Sequence, residues 1–206
     1  MFEILKHRTY RHLFLAQVIA LIGTGLITIA LSLLAYDLAK DKAAQVLGIA
    51  LAIKMIAYIM VAPVASAYAE RLPRKKVLVT LDIIRAGTAL FLPFVTEIWQ
   101  IYLLIFILQS ASAAFTPTFQ AVIPDVLPDE KEYTNALSLS RLASDLENII
   151  SPMLAGLLLT VISYHNLFLG TVLGFIGSAL FVITTQLPTA KPSKVTGVLA
   201  RIKQGA

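Results

Sequence analysis

Leu13–Tyr36 reads LFLAQVIALIGTGLITIALSLLAY, 24 residues without a charged side chain. As a helix this run is about 36 Å long, and the hydrocarbon core of a bilayer is about 30 Å thick. The run is therefore long enough to span a membrane. The apolar region of a secretory signal is shorter, about 7–15 residues. Here a brief polar link leads straight into another apolar run, so the segment is not read as a cleaved signal. Working outward, five more runs follow: Ala43–Ala69, Val77–Val95, Ile98–Ile123, Asn135–Ser163 and Asn166–Leu187. Barrel strands would alternate polar and apolar over about ten residues, whereas these stay apolar for about twenty. The composition agrees, at 58% hydrophobic and 14% charged with a mean hydropathy of +0.81. A soluble domain is about 25% charged. The expected fold is an all-α membrane protein, a six-transmembrane-helix bundle over residues 1–187. Residues 188–206 read as a cytoplasmic linker or tail whose last part is basic and weakly amphipathic.

The links between runs are short, so consecutive helices should be antiparallel neighbours. Their charge is lopsided. One set of loops and ends carries Lys6, Arg8, Arg11, Arg71, Arg74, Lys75, Lys76, Lys131, Lys191, Lys194, Arg201 and Lys203, and the other only Lys40 and Lys42. That is 12 against 2 of the 17 Lys and Arg. The positive-inside rule then predicts both termini in the cytoplasm. Trp99 and Tyr102 fall at the far interface, where aromatic belts sit. The net charge of +5 is thus a topology signal, and no nucleic-acid partner is expected. The partners expected are the lipid bilayer and a small-molecule or metal-ion substrate. There are no cysteines, which removes disulfides and thiolate metal sites. The histidines, His7, His12 and His165, lie near span ends without ligand spacing, so neither a metal site nor a cofactor is expected.

Six ionisable residues fall inside the predicted spans: Lys54, Asp82, Arg85, Arg141, Asp145 and Glu147. Unpaired, they would cost on the order of 15–20 kcal/mol on insertion scales. They must pair, meet water or sit near an interface. Asp82 and Arg85 lie about 8–12 Å from the cytoplasmic face and, three apart, can pair. Lys54 and Glu147 are deeper and are candidates for a transport role, with Asp145, Gln109 and Gln17 beside them. On the fifth span Ser138, Arg141, Asp145, Asn148 and Pro152 share a stripe that Ser144, Glu147 and Ser151 widen. A membrane helix so polar should face other helices or a water-filled cavity. Thr24, Thr28, Thr116, Thr118 and Gln120 could line a path on the first and fourth spans, or simply hydrogen-bond between helices. Gly170-x-x-x-Gly174 suggests close helix approach, and Pro63, Pro93, Pro117 and Pro152 should kink their spans.

Three stretches carry a family resemblance. Ser66-Ala67-Tyr68-Ala69-Glu70-Arg71-Leu72-Pro73-Arg74-Lys75-Lys76 resembles the loop signature of the major facilitator superfamily between helices two and three. Glu70, Arg71, Arg74 and Lys75 match in charge and spacing, with Ser66 and Pro73 in place of glycines. Ala114 to Asp125, followed by Asn135-Ala136-Leu137, is similar to the end of helix four in the drug, siderophore and metal exporter branch. Ser151-Pro152-Met153-Leu154-Ala155-Gly156 resembles the exporter motif on helix five. Arg8-Thr9-Tyr10 through Arg85 is most similar to nickel-resistance-type permeases of that branch. The helix-four arginine of many proton-coupled members is replaced by Phe106, which moves attention to Glu147, Asp145 and Lys54.

The resemblance implies two inverted three-helix repeats, half of a major facilitator fold, with the substrate site between halves. It implies an efflux permease of the plasma (bacterial inner) membrane, moving a divalent metal such as nickel or a hydrophobic drug or siderophore. A second six-helix half or a homodimer would complete it. Glu70, Arg71, Arg74 and Lys75 would form a cytoplasmic gate with Asp82, Arg85, Arg141 and Asp145. The alternative is a truncated or non-transporting membrane scaffold. A more remote one is an intramembrane enzyme, but a serine protease would need a deep Ser and His together. No histidine is deep, and no Gly-x-Ser-x-Gly elbow is present.

Overall fold

The computed structural model describes residues 2–68 and 72–185. After a short 3-10 turn, α1 covers Arg8–Ala39 and α2 Ala43–Tyr68. Then come α3 Arg74–Phe91, α4 Ile98–Val126, α5 Glu130–Leu159 and α6 Tyr164–Thr184. Among the described residues five continuous segments are long and apolar enough to cross a membrane. The first, Arg8–Tyr68, contains both α1 and α2, so six helices result. The chain turns between them at Lys40, whose positive φ of 48° breaks the helix. The expected end of the second span at Ala69, the end of the sixth at Leu187 and the tail from 188 lie outside the described residues.

The helices run past the apolar stretches at several ends because polar residues cap them. Asp129 caps α5, its carboxylate accepting the Glu132 amide at 3.0 Å. The helix therefore starts at Glu130 rather than Asn135. Gln100 reaches back to the amides of Thr96 and Glu97 and fixes the start of α4. At the other extreme α3 stops at Phe91, short of Val95, and Pro93 sits in a 3-10 turn rather than kinking a helix. Pro63, Pro117 and Pro152 lie inside continuous helices.

Two apolar clusters show the direction of each helix. One joins Leu34 late in α1, Val46 early in α2, Leu92 just past α3, Ile101 early in α4, Ala155 late in α5 and Leu167 early in α6. The other joins Tyr10, Leu78, Val122, Ala136 and Val182, from the opposite ends of five of those helices. Consecutive helices are therefore antiparallel. Both described termini lie at one end of the bundle, here the terminal end.

The packing repeats within the chain. α1 packs on α6, α5 and α2, and α4 packs on α3, α2 and α5. Exchanging α1 with α4, α2 with α5 and α3 with α6 maps these pairs onto one another, and the α3–α6 contact onto itself. Two antiparallel three-helix units related in this way are an inverted repeat.

Glycines set the closest approaches. A methyl group on Gly174 would lie 3.1 Å from the Gly23 Cα, so α1 and α6 meet backbone to backbone. The Thr171 hydroxyl donates across this seam to the Gly23 carbonyl at 2.9 Å. A methyl group on Gly25 would fall 2.0 Å from Ser151 on α5. Gly48 and Gly156 face open space. α2 and α5 are the least covered helices, with Ile59, Met60, Ile149, Met153 and Leu157 exposed.

Candidate functional site

Five of the six helices surround a cavity of about 340 Å³ in the terminal half of the bundle. α1 contributes Gln17, Ala20, Leu21 and Thr24, and α4 contributes Ser112, Phe115, Thr116, Phe119 and Gln120. α5 adds Tyr133, Leu137, Ser140, Arg141 and Ser144. Within each helix these positions recur every three or four residues, one stripe of a helix with about 3.6 residues per turn. Tyr58 of α2 and Arg85 of α3 complete the wall. The surface combines aromatic rings with amides and hydroxyls. Phe115 and Phe119 stack with ring centroids 6.0 Å apart. Four polar atoms of residues in this wall, Gln17 Oε1, Ser112 Oγ, Ser140 Oγ and Arg85 Nε, are buried without a hydrogen-bond partner. Buried polar groups are nearly always satisfied, by water if not by protein. A lining of aromatic rings, amides and hydroxyls suits a solute with both apolar surface and polar groups.

Behind the cavity lies a buried charge network. Asp82 and Arg85 form an ion pair with side-chain exposures of 0% and 4%. The Ser178 hydroxyl donates to the other Asp82 oxygen at 2.8 Å and ties α3 to α6. The Arg85 guanidinium lies between two rings, 4.1 Å from the Phe115 centroid and 4.5 Å from that of Phe175. A lone buried charge would cost several kcal/mol, and here each charge is matched by its partner, a hydroxyl or a ring face.

The other expected residues are dispersed. Lys54 and Glu147 are half-buried on α2 and α5, act on one another electrostatically, and form no ion pair. Glu147 lies against Gly25 beside Ser151. Arg141 and Asp145 pair at 3.2 Å, both well exposed, so they do not belong to the buried network. Gln109 is half-buried and outside the cavity wall. In the helix-five motif, Ser151 and Ala155 are buried, whereas Pro152 and Gly156 are exposed.

The gate residues that the structure describes are wired differently from expectation. Arg74 donates to the Ala121 carbonyl at 2.7 Å and pairs with Asp125, both on α4. Lys75 donates to the Thr185 carbonyl at 2.8 Å, just past α6. Neither is bonded to Asp82, Arg85, Arg141 or Asp145. The reason is reach, since Asp82 lies eight residues along α3 from Arg74, about 12 Å by helical rise. Glu70 and Arg71 lie outside the described residues.

Sequence reasoning found Gln17, Thr24, Thr116, Gln120 and Arg141 of the cavity wall, though only Gln17 was singled out there for transport. Thr28 and Thr118 lie outside the wall, although all four threonines bond alike to carbonyls of their own helices. Ser112, Phe115, Phe119, Tyr58 and Tyr133 were missed. The i, i+4, i+8 spacing of Ser112, Thr116 and Gln120 was the signal available. Among the described residues no group of three or more His, Cys, Asp or Glu could hold a metal ion.

Six long, mostly apolar antiparallel helices define a multi-pass membrane protein, and comparison with known proteins agrees. The Major Facilitator Superfamily profile matches residues 13–203, and the chain belongs to that family. It is 30% identical over 152 residues to the uncharacterized MFS-type transporter YfiS of Bacillus subtilis, covering 71% of this chain and 36% of that protein. It is 26% identical over 177 residues to macrolide efflux protein A of Streptococcus pyogenes, covering 84% of this chain and 43% of that one. Its fold matches the inward-facing, unoccupied structure of a bacterial homolog of the human lysosomal transporter Spinster. The TM-score is 0.67 at 16% identity, covering 97% of this chain and 47% of that one. The chain thus spans less than half the length of these relatives. It has the fold of half a major facilitator protein.

Proposed function

We propose that this chain is the six-helix half of a secondary efflux carrier that moves a lipophilic organic solute by alternating access. The carrying observation is the cavity, lined by stacked Phe115 and Phe119 together with Gln17, Ser112, Gln120 and Arg85. Apolar walls with a few placed polar groups suit a drug-like molecule. The similarity to a macrolide efflux protein supports the same class. A divalent metal such as nickel is the second reading. It is disfavoured because the cavity wall holds amides, hydroxyls and arginines but no carboxylate or imidazole.

The proposal places the chain in the plasma membrane with its terminal end cytoplasmic, following the excess of Lys and Arg there. Lys54 and Glu147 are the coupling candidates, since they act on one another electrostatically from α2 and α5, outside the cavity wall. A second six-helix half, or a second copy, would cover α2 and α5 and complete the path. The test is efflux of a fluorescent macrolide from cells expressing this chain with and without a second half. The expected result is efflux with the pair, lost in Gln17→Ala and Phe119→Ala at normal expression. Full efflux by both variants would overturn the cavity assignment.

A further inference from the structure

A second, smaller pocket of about 160 Å³ shares no lining residue with the cavity and lies at the terminal end between the start of α1 and the end of α6. Its walls are Arg8, Thr9, His12, Thr184 and Thr185, with no carboxylate. None of the ion pairs among the described residues uses Arg8. His12 points Nδ1 at the Arg8 carbonyl, 2.7 Å away. That nitrogen must carry the hydrogen, so Nε2 is an acceptor in the neutral ring and donates to an anion only as the imidazolium. The carbonyls at a helix C-terminus would ordinarily repel an anion. Here those of Phe181, Val182 and Thr185 are covered, and Arg8 and Thr9 are the donors left for an anion, because the two C-terminal threonines turn their hydroxyl hydrogens inward. The Thr184 and Thr185 hydroxyls both donate to the Phe181 carbonyl, at 2.9 and 2.7 Å. Lys75 takes the Thr185 carbonyl at 2.8 Å and brings a further positive charge behind the pocket.

Depth identifies the ligand. The uncharged run begins at Leu13, so Arg8 lies five residues outside it, about 7 Å by helical rise. The headgroup layer on each side of a bilayer is about 5–7 Å thick. α6, with 21 residues, is about as long as the hydrocarbon core is thick, which puts Thr184 at its boundary. The pocket therefore sits at the level of lipid phosphates. Guanidinium and phosphate pair in a bidentate fashion, and basic pockets between membrane helices on the cytoplasmic side hold anionic headgroups.

We propose that the pocket formed by Arg8, Thr9, His12, Thr184 and Thr185 binds the phosphate of an anionic phospholipid headgroup. The bound lipid bridges the first and last helices of the bundle. The proposal does not depend on which solute the central cavity carries.

The test uses the full chain, purified in detergent and exchanged into nanodiscs of phosphatidylcholine with or without phosphatidylglycerol. Retained lipid is counted by native mass spectrometry. Phosphatidylglycerol should be retained over phosphatidylcholine, and Arg8→Gln should weaken that retention about tenfold, the scale of one charge-assisted hydrogen bond. Arg11→Gln, an exposed neighbour outside the pocket, is the control and should change nothing. Thr9→Val is a gentler second variant if Arg8→Gln lowers the melting point in lipid-free detergent, and it should also reduce retention. Equal losses in Arg8→Gln and Arg11→Gln would mean a diffuse basic surface and overturn the proposal. So would no preference for phosphatidylglycerol, or displacement of the lipid by millimolar inorganic phosphate.

Discussion

Gly25 and Gly156 are both glycines on membrane helices, and the sequence treats them alike. The structure separates them. A methyl group at Gly25 would lie 2.0 Å from Ser151 and 2.9 Å from a Glu147 oxygen, whereas at Gly156 nothing lies within 4 Å. Gly25→Ala must push α1 and α5 apart, and overpacking of this kind costs about 1–3 kcal/mol. Its melting midpoint in detergent should fall, while Gly156→Ala should match the parent. The Asp82–Arg85 pair yields a second residue-level prediction. Removing one member leaves a buried charge without its partner, at about 3–5 kcal/mol, while replacing both removes the problem. Arg85→Met should therefore be less stable than the Asp82→Asn/Arg85→Met double variant. Additive losses, measured by denaturation in mixed micelles, would show that the two charges are not coupled. The i, i+3 spacing of this pair was legible from the sequence. Ser178 as its third member was not, because it is 96 residues away on another helix.

At the scale of elements, the apolar runs located the helices to within a few residues at most ends, because the hydrocarbon core dictates their length. Ends set by capping were less visible, as at Asp129 and Pro93. Which face of each helix turns inward was the least legible property. In a membrane both the lipid side and the protein side are apolar, so amphipathic patterning loses its meaning. Tyr58 and Phe119 were missed for this reason, and the partners of Arg74 and Lys75 were assigned to the wrong helices. The α1–α6 seam tests how these helices hold together. The Thr171 hydroxyl also bonds to Leu167 on its own helix, at 3.1 Å. Interhelical hydrogen bonds in membranes average about 0.6 kcal/mol, so Thr171→Val should be nearly neutral. Gly174→Leu should be severe, since even a methyl group would sit 3.1 Å from backbone on α1. Thermal denaturation of both variants in one detergent would rank them. A Thr171→Val loss matching that of Gly174→Leu would mean that the hydrogen bond, not close packing, holds the seam.

For the whole molecule, composition gave the class, charge asymmetry predicts an orientation, and the inverted repeat that the family resemblance implies is visible in the packing. The orientation is open to a direct test because the chain has no cysteine to interfere. Lys42→Cys and Lys76→Cys, made one at a time, report on opposite ends of the bundle. A membrane-impermeant maleimide added to intact cells should label the first and spare the second. The reverse pattern would invert the topology and move the headgroup pocket to the outer leaflet.

The packing symmetry also bears on how the protein is made. α1 emerges from the ribosome first, yet it finds its glycine-lined partner only in α6, the last helix described. α2 waits for α4, and α2 and α3 do not form a packed pair although a short link joins them. Helices inserted early must therefore remain in the bilayer, or in the care of an insertion chaperone, until much later ones arrive. Interactions that close long loops form slowly. A chain arrested before α6 would leave Gly23 and its neighbours facing lipid with no mate. Quality-control proteases that recognise loosely associated membrane helices would then act on nascent chains long before transport is at stake.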